Sequence, residues 1–172
     1  WGSKVRFLDA YFQSLRTKEV VYGSPRFGFA QISIAYMARK YGMRATIFVP
    51  QSRELSEYSQ RAAGLGAEIV SVPMGFLSVC ESRARKRAEA VNGHVLPCGI
   101  NHPLVLQGIA ECAGGLGIEP DEVWTVAGSG TLTRGLQKAW PLAKFFAVLV
   151  GKKLSREKTG RAECIPCSLP FN

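Results

Sequence analysis

The chain has 172 residues, of which 47% are hydrophobic and 20% are charged. That composition is ordinary for a globular protein with a buried core, and it argues against a low-complexity or membrane-spanning chain. Lys and Arg number 22 against 13 Asp and Glu, which gives a net charge of +9. Because the basic residues are dispersed, a solvated basic surface is favoured over nucleic-acid binding, which stays open.

Hydrophobic periodicity predicts helices that alternate with short strands along the chain. The predicted helices cover residues 4–18, 29–41, 52–65, 78–91 and 104–116, with a sixth that follows Thr131 and ends near Trp140. The predicted strands cover residues 19–22, 45–49, 68–72, 94–96, 123–127 and 145–150. Residues 151–172 carry little helix signal. This alternation favours an α/β fold with a parallel sheet.

The segment from Val123 to Leu136 contains the clearest candidate site. An apolar strand breaks into Gly128-Ser129-Gly130-Thr131 and then continues as a helix. Such a turn leaves unpaired backbone N–H groups, which together with the helix dipole and the hydroxyls of Ser129, Thr131 and Thr133 suit a phosphate dianion. A turn that is glycine-rich for steric reasons alone is the alternative. Neither common nucleotide-binding glycine pattern is present.

Two earlier segments are weaker candidates. In Gly23-Ser24-Pro25-Arg26-Phe27-Gly28, donors at a helix start could hold a carboxylate, with Arg26 adding charge. The alternative is a tight turn with Ser24 as N-cap and Pro25 as the first helical residue. In Gly2-Ser3-Lys4, an exposed terminal lysine competes with a lysine that bonds an aldehyde cofactor.

Cysteine and histidine residues predict no metal site. The five cysteines are an odd number spread thinly along the chain, which indicates reduced thiols and a cytoplasmic protein without a visible signal peptide. Cys164 and Cys167 form half of a zinc motif without its other half. His94 and His102 have no acid or thiol at metal-binding spacing, so structural or surface roles are favoured.

Three segments, taken in order, resemble the pyridoxal-phosphate enzymes of fold type II. Gly2 to Leu8 resembles their Gly-Gly-Asn-Lys-x-Arg-Lys-Leu segment, and Ser24 to Gly28 stands where they have Ser-x-Asn-x-Gly. Gly128 to Leu132 is similar to their loop for the cofactor phosphate. The resemblance covers about residues 2–152. It is closest to the aminocyclopropane-carboxylate deaminase and D-cysteine desulfhydrase group of the tryptophan synthase β-like superfamily.

The resemblance implies roles for individual residues. Lys4 forms a Schiff base with pyridoxal 5'-phosphate and later shuttles a proton, while Gly128 to Thr131 hold the phosphate. Ser24 and Phe27 contact a substrate, with Ser24 at its carboxylate. Arg26 stands where the family has an asparagine that contacts the ring hydroxyl, so Arg26 pairs either with that oxygen or with substrate.

The resemblance also implies an organisation and a function. Residues 1–23 and 96–172 form a larger cofactor-binding lobe, and residues 24–95 form a smaller mobile lobe. The expected function is an enzyme that acts on a small amino acid by elimination, deamination or replacement, as a homo-oligomer. Only three residues precede Lys4, so the chain is expected to be incomplete at both ends. The alternative is a non-catalytic descendant that binds an anionic metabolite or nucleic acid.

Overall fold

A computed structural model describes residues 4–73, 76–150 and 153–167. Gly2 and Ser3 of the predicted lysine segment lie outside the described residues. Backbone contacts divide the chain into two compact units, residues 1–98 and 99–172. Within the described ranges, no helix has the length and apolar character needed to cross a membrane.

The described residues of the first unit form four helices and four parallel strands. The helices are α1 (Val5–Ser14), α2 (Ala30–Lys40), α3 (Glu57–Gly64) and α4 (Leu77–Val91). The strands are β1 (Glu19–Gly23), β2 (Arg44–Pro50), β3 (Glu68–Val72) and β4 (His94–Leu96), in the order β3-β2-β1-β4. The chain moves outward from β1 to β3 and then returns to the other side of β1. The carboxyl ends of β1 and β4 therefore flank a topological switch point, where ligands bind in open α/β sheets.

Burial explains why β1 occupies the middle of this sheet. All five of its residues are buried, as expected for a parallel strand covered on both faces. On one face of the sheet, Val21 and Phe48 pack against α4. The helix places a small side chain there at every fourth residue, namely Cys80, Ala84 and Ala88. Small residues let the helix approach the sheet closely, which fixes the position of the strand's carboxyl end.

The second unit is a three-stranded parallel sheet with helices. After a 3₁₀ turn at Cys98–Ile100, it contains α5 (Pro103–Gly114), α6 (Thr131–Ala139) and α7 (Arg156–Thr159). The strands are β5 (Glu122–Ala127), β6 (Lys144–Leu149) and β7 (Glu163–Pro166), in the order β5-β6-β7. Burial alternates along β5: Val123, Thr125 and Ala127 are buried, and Trp124 and Val126 are exposed. Trp124 stacks on Phe146 of β6 with ring centres 4.4 Å apart.

The predicted α/β class with parallel sheets is confirmed. Three details differ from the sequence prediction. Helix α1 ends at Ser14, since Leu15 is extended, and α3 begins only at Glu57, because Ser56 rather than Ser52 caps it. Short elements α7 and β7 occupy a stretch for which no element was predicted. The assignment of residues 1–23 with 96–172 to a larger lobe, and of 24–95 to a smaller one, stays a prediction.

A buried carboxylate anchors the amino ends of the strands in the first unit. Glu19, at the start of β1, is 1% exposed. It accepts hydrogen bonds from Thr46 Oγ1 and Arg87 Nε, both at 2.9 Å, and pairs with Arg44 at 2.9 Å. Burial alone would raise the pKa of Glu19, but the hydrogen bonds from Arg87 and Thr46 and the charges of both arginines hold it below its usual range.

Removing this charge is expected to destabilise the fold in a pH-dependent way. Replacing Glu19 by Gln should lower the free energy of unfolding by about 1–3 kcal/mol at pH 7, because the buried Thr46 hydroxyl and two guanidinium groups lose a charged, buried acceptor. Since the folded pKa is depressed, the carboxylate contributes stability above its unfolded pKa of about 4.3 and loses it as the pH falls through the folded value.

Urea unfolding followed by circular dichroism at pH 7, 5 and 3 measures this difference. The gap between wild type and Glu19→Gln should be largest at pH 7 and should close on acidification. Glu54→Gln, at an exposed carboxylate, is the matched control and should unfold like the wild type. A Glu19→Gln protein as stable as the wild type at pH 7 would contradict the anchoring role.

Candidate functional site

The β1–α2 loop, Ser24–Phe29, lies at the switch point of the first sheet. Ser24 is buried, and its N–H donates to the carbonyl of Phe48 at 2.8 Å, which extends the pairing of β1 with β2. Its hydroxyl donates to the carbonyl of Pro25 at 2.9 Å. The N-cap of α2 is Phe29, so the alternative with Ser24 as N-cap and Pro25 as the first helical residue is wrong.

The carbonyl oxygens of this loop are bonded to the protein interior. Gln31 Nε2 donates to the carbonyls of Pro25 at 3.0 Å and Arg26 at 3.3 Å. Ser56 Oγ donates to the same Arg26 carbonyl at 2.9 Å. Ser59 Oγ in turn donates to Gln31 Oε1 at 2.7 Å. Gln31, Ser56 and Ser59 form what we call the Gln31 network, and they are residues that sequence reasoning missed. The available signal was a glutamine inside the otherwise apolar start of α2.

The outward side of the loop presents donors and a cation. The backbone N–H groups of Arg26, Phe27 and Gly28 find no acceptor among the residues that the structure describes. Arg26 and Phe27 are both exposed, with the guanidinium carbon 5.1 Å from the ring centre. Successive free N–H groups beside a guanidinium suit a carboxylate. The loop therefore presents groups that suit an anion, and substrate binding by Ser24 and Phe27 stays a prediction.

Lys4 immediately precedes α1. Its carbonyl accepts the N–H groups of Phe7 at 3.2 Å and Leu8 at 3.1 Å, which places the side chain at the first turn of the helix. The side chain is half-buried, and this burial lowers the pKa of Lys4. Its amine has no hydrogen-bond or ion-pair partner within residues 4–73, 76–150 and 153–167. A desolvated, unpaired amine is neutral more often than an exposed one and is a better nucleophile.

The β5–α6 turn, Gly128–Thr131, is the second cluster of free donors. Its N–H groups have no acceptor in the described part of the chain. The hydroxyl oxygens of Ser129 and Thr131 lie 3.3 Å apart at the turn. The Thr133 hydroxyl, by contrast, is buried and bonded to Thr125 Oγ1 at 2.8 Å, so it ties the helix to β5 instead.

Two glycines make room for this turn. Gly130 has φ = +79°, and a Cβ there would overlap the carbonyl oxygen of Lys158. Gly99 has φ = +70°, and a Cβ there would overlap the side chain of Ser129. Both conformations favour glycine, and both close approaches exclude any larger residue. Free N–H groups, two hydroxyls and the amino end of α6 together fit a phosphate group.

The two histidines and the buried carboxylate of Glu19 have structural roles. His94 Nε2 lies 2.9 Å from the Tyr11 hydroxyl, which supports the structural role favoured for it. His102 caps α5, its Nδ1 accepting from the N–H of Leu104 at 3.3 Å. Glu19 lies at the amino end of β1, whereas the β1–α2 loop leaves from the carboxyl end.

A protein-family model described as pyridoxal-phosphate dependent enzyme matches residues 10–158. No curated protein sequence matches the chain. Among solved structures, one described as an ACC deaminase homologue has a TM-score of 0.80 at 18% identity, over 96% of this chain and 61% of that one. A threonine deaminase from T.th. gives a TM-score of 0.69 at 23% identity, over 85% and 49%. Serine racemase from Dictyostelium discoideum gives 0.70 at 22% identity, over 85% and 50%.

At these identities the structural similarity establishes the fold alone. The chain spans about half the length of the first similar structures. The family match includes both the β1–α2 loop and the β5–α6 turn, whereas Lys4 lies before its first residue. The match extends over most of the chain, and the family depends on pyridoxal phosphate. The chain therefore belongs to the family of pyridoxal-phosphate-dependent enzymes.

Proposed function

We propose that this chain is part of an enzyme that uses pyridoxal phosphate, bonded to Lys4, to transform a small amino acid. The observation that carries the proposal is the half-buried Lys4 amine, with a lowered pKa and no partner among the described residues. Burying a lysine without a partner costs stability, and such lysines are typical of covalent catalysis.

The residues present fit the cofactor. In this proposal, the N–H groups of Gly128, Ser129, Gly130 and Thr131 and the two hydroxyls bind its phosphate, and Lys4 holds its aldehyde end. Bound pyridoxal phosphate supplies a conjugated system that accepts the electrons released at the substrate Cα. Arg26 either pairs with the ring hydroxyl or with substrate, the same two roles that the sequence leaves open.

The protein's own groups then orient the substrate and move a proton. The N–H groups of Arg26 to Gly28, with Ser24 behind them, orient the amino-acid carboxylate. The exposed ring of Phe27 covers one side of the substrate and excludes water from it. Lys4 Nζ, whose pKa burial lowers, accepts or returns the proton at Cα. Positioning both ends of the substrate before proton transfer lowers the entropic part of the barrier.

The reaction type and the assembly belong to the same proposal. Elimination, deamination and replacement all begin at the substrate Cα. The closer resemblance to the aminocyclopropane-carboxylate deaminase and D-cysteine desulfhydrase group is supported by the similarity to an ACC deaminase homologue. A homo-oligomer, a cytoplasmic location and the non-catalytic alternative stay predictions from the sequence.

Covalent attachment at Lys4 is directly testable. Purified protein mixed with pyridoxal phosphate should develop an absorbance band in the near-visible, and borohydride should fix a pyridoxyl group on Lys4, found by peptide mass spectrometry. Lys4→Ala should lose both signals and turnover. Lys18→Ala, at an exposed lysine of the same unit, should keep them.

Three outcomes separate the hypotheses. A protein that stays colourless at high cofactor excess contradicts the proposal. If Lys4→Ala keeps full affinity for the cofactor and the wild type turns over none of a panel of amino acids, the non-catalytic alternative is favoured. Nucleic-acid binding that falls steeply with salt would identify the basic surface as its site.

The β5–α6 turn is expected to require Gly130. Gly130→Ala should weaken pyridoxal-phosphate binding at least about tenfold, since the new Cβ displaces the backbone that donates to phosphate. Gly117→Ala is the matched control, because Gly117 also has a positive φ of +66° but no atom within 4 Å of the added Cβ. The control should cost about 1–2 kcal/mol of stability and leave the affinity unchanged. Equal affinities of the two variants would contradict the assignment of the turn.

A further inference from the structure

The Gln31 network closes on itself within the first unit. Gln31 is 0% exposed, and Ser56 and Ser59 are also buried. Ser56 Oγ accepts the N–H of Ser59 at 3.2 Å as the cap of α3, and it lies 3.1 Å from Ser59 Oγ. Among the described residues, no buried side-chain nitrogen or oxygen lacks a partner. Buried and fully bonded networks of this kind hold one arrangement of the chain.

The network acts on two particular peptide units of the β1–α2 loop. The carbonyl of Pro25 and the N–H of Arg26 belong to one planar unit, and the carbonyl of Arg26 and the N–H of Phe27 to the next. The described chain has no cis peptide bond, so the carbonyl and N–H of each unit point in opposite directions. Because Gln31 and Ser56 hold both carbonyls inward, the N–H groups of Arg26 and Phe27 are directed outward.

We propose that Gln31, supported by Ser56 and Ser59, is a positioning residue that aims the N–H groups of Arg26 and Phe27 at the substrate carboxylate. This role deepens the proposed function and rests on it for the identity of the anion. Gln31 reaches both carbonyls with one amide nitrogen, and Ser59 fixes that amide through its oxygen. Ser56 belongs to α3 and to the network at once, so the position of α3 and the shape of the loop are coupled.

A purely structural role makes a different prediction. Loss of a buried polar contact lowers global stability wherever the contact lies. Loss of the Gln31 contacts should in addition loosen two peptide units of the loop, whose carbonyls keep only the bonds from Ser24 and Ser56. It should weaken the binding of only the ligand that those units contact. The cofactor phosphate is assigned to the second unit of the chain, so its affinity should not change.

The test compares Gln31→Met with Thr46→Val. Methionine keeps the length of the side chain but offers no donor to the two carbonyls. Thr46 is also buried in the first unit and bonded through its side chain, to Glu19 at 2.9 Å, but at the amino end of the strands. It therefore controls for lost stability without touching the loop. Ser59→Ala, which frees the Gln31 amide, should behave as a milder form of Gln31→Met.

Amide ¹⁵N relaxation of the protein with pyridoxal phosphate added reports loop order, and a titration with L-serine reports carboxylate binding. We expect order parameters at Arg26 and Phe27 to fall from about 0.85 to below about 0.6 in Gln31→Met. The L-serine concentration for half-maximal amide shifts should rise about tenfold, with unchanged cofactor affinity. Thr46→Val should leave all three quantities at wild-type values.

Unchanged order parameters in Gln31→Met, or equal losses in Thr46→Val, would overturn the positioning role. The result for the positioning role can be told apart from the result for the proposed enzyme function. A protein that binds neither pyridoxal phosphate nor L-serine removes the enzyme proposal, while the relaxation data alone still decide whether Gln31 orders the two peptide units.

Discussion

Both candidate sites depend on one constraint: where a parallel strand enters a helix through a turn, the backbone N–H groups of that turn have no acceptor within the described ranges. In the first unit these donors belong to Arg26, Phe27 and Gly28. In the second they belong to the β5–α6 turn, Gly128–Thr131. Unpaired donors are costly unless water or a ligand bonds them, and an anion bonds them best because the helix dipole favours negative charge. The sites are thus a consequence of strand-to-helix topology, and the small side chains of glycine and serine let an anion approach the backbone closely.

The two ends of β1 have different roles: the amino end stabilises the fold, and the carboxyl end leads into a candidate site. At the amino end, the buried Glu19 carboxylate is paired with a threonine hydroxyl and two guanidinium groups. At the carboxyl end, Gln31 and Ser56 bond the carbonyls of Pro25 and Arg26, while the N–H groups that follow them have no acceptor among the described residues. A charge that is fully paired contributes to folding, whereas a donor that is left unpaired contributes only when the ligand arrives.

Sequence reasoning succeeded where the signal is local. The order of strands and helices and the turn at Gly128 follow from short patterns, because hydrophobic periodicity and glycine act within a few residues. It failed where partners are distant. Gln31 and Ser59 are 28 positions apart, and nothing in either neighbourhood indicates that they meet. The sequence predicts that α3 begins at Ser52, four residues before its cap Ser56, and the Arg26 carbonyl that Ser56 also bonds is 30 positions away. Strand β7 was missed because its pairing comes from β6 and its own residues are mostly exposed.

The family match and the geometry support different parts of the chemistry. The match contains both turns, and in each unit the structure leaves their donors free, so binding of an anion at either turn needs no contribution from Lys4. The proposed proton transfer does need Lys4, which lies outside the match. The independent evidence is that burial lowers the pKa of its amine and that the amine has no partner among the described residues. The free donors of the turns thus support anion binding, whereas the half-buried amine of Lys4 supports the covalent and proton-transfer steps of the proposed function.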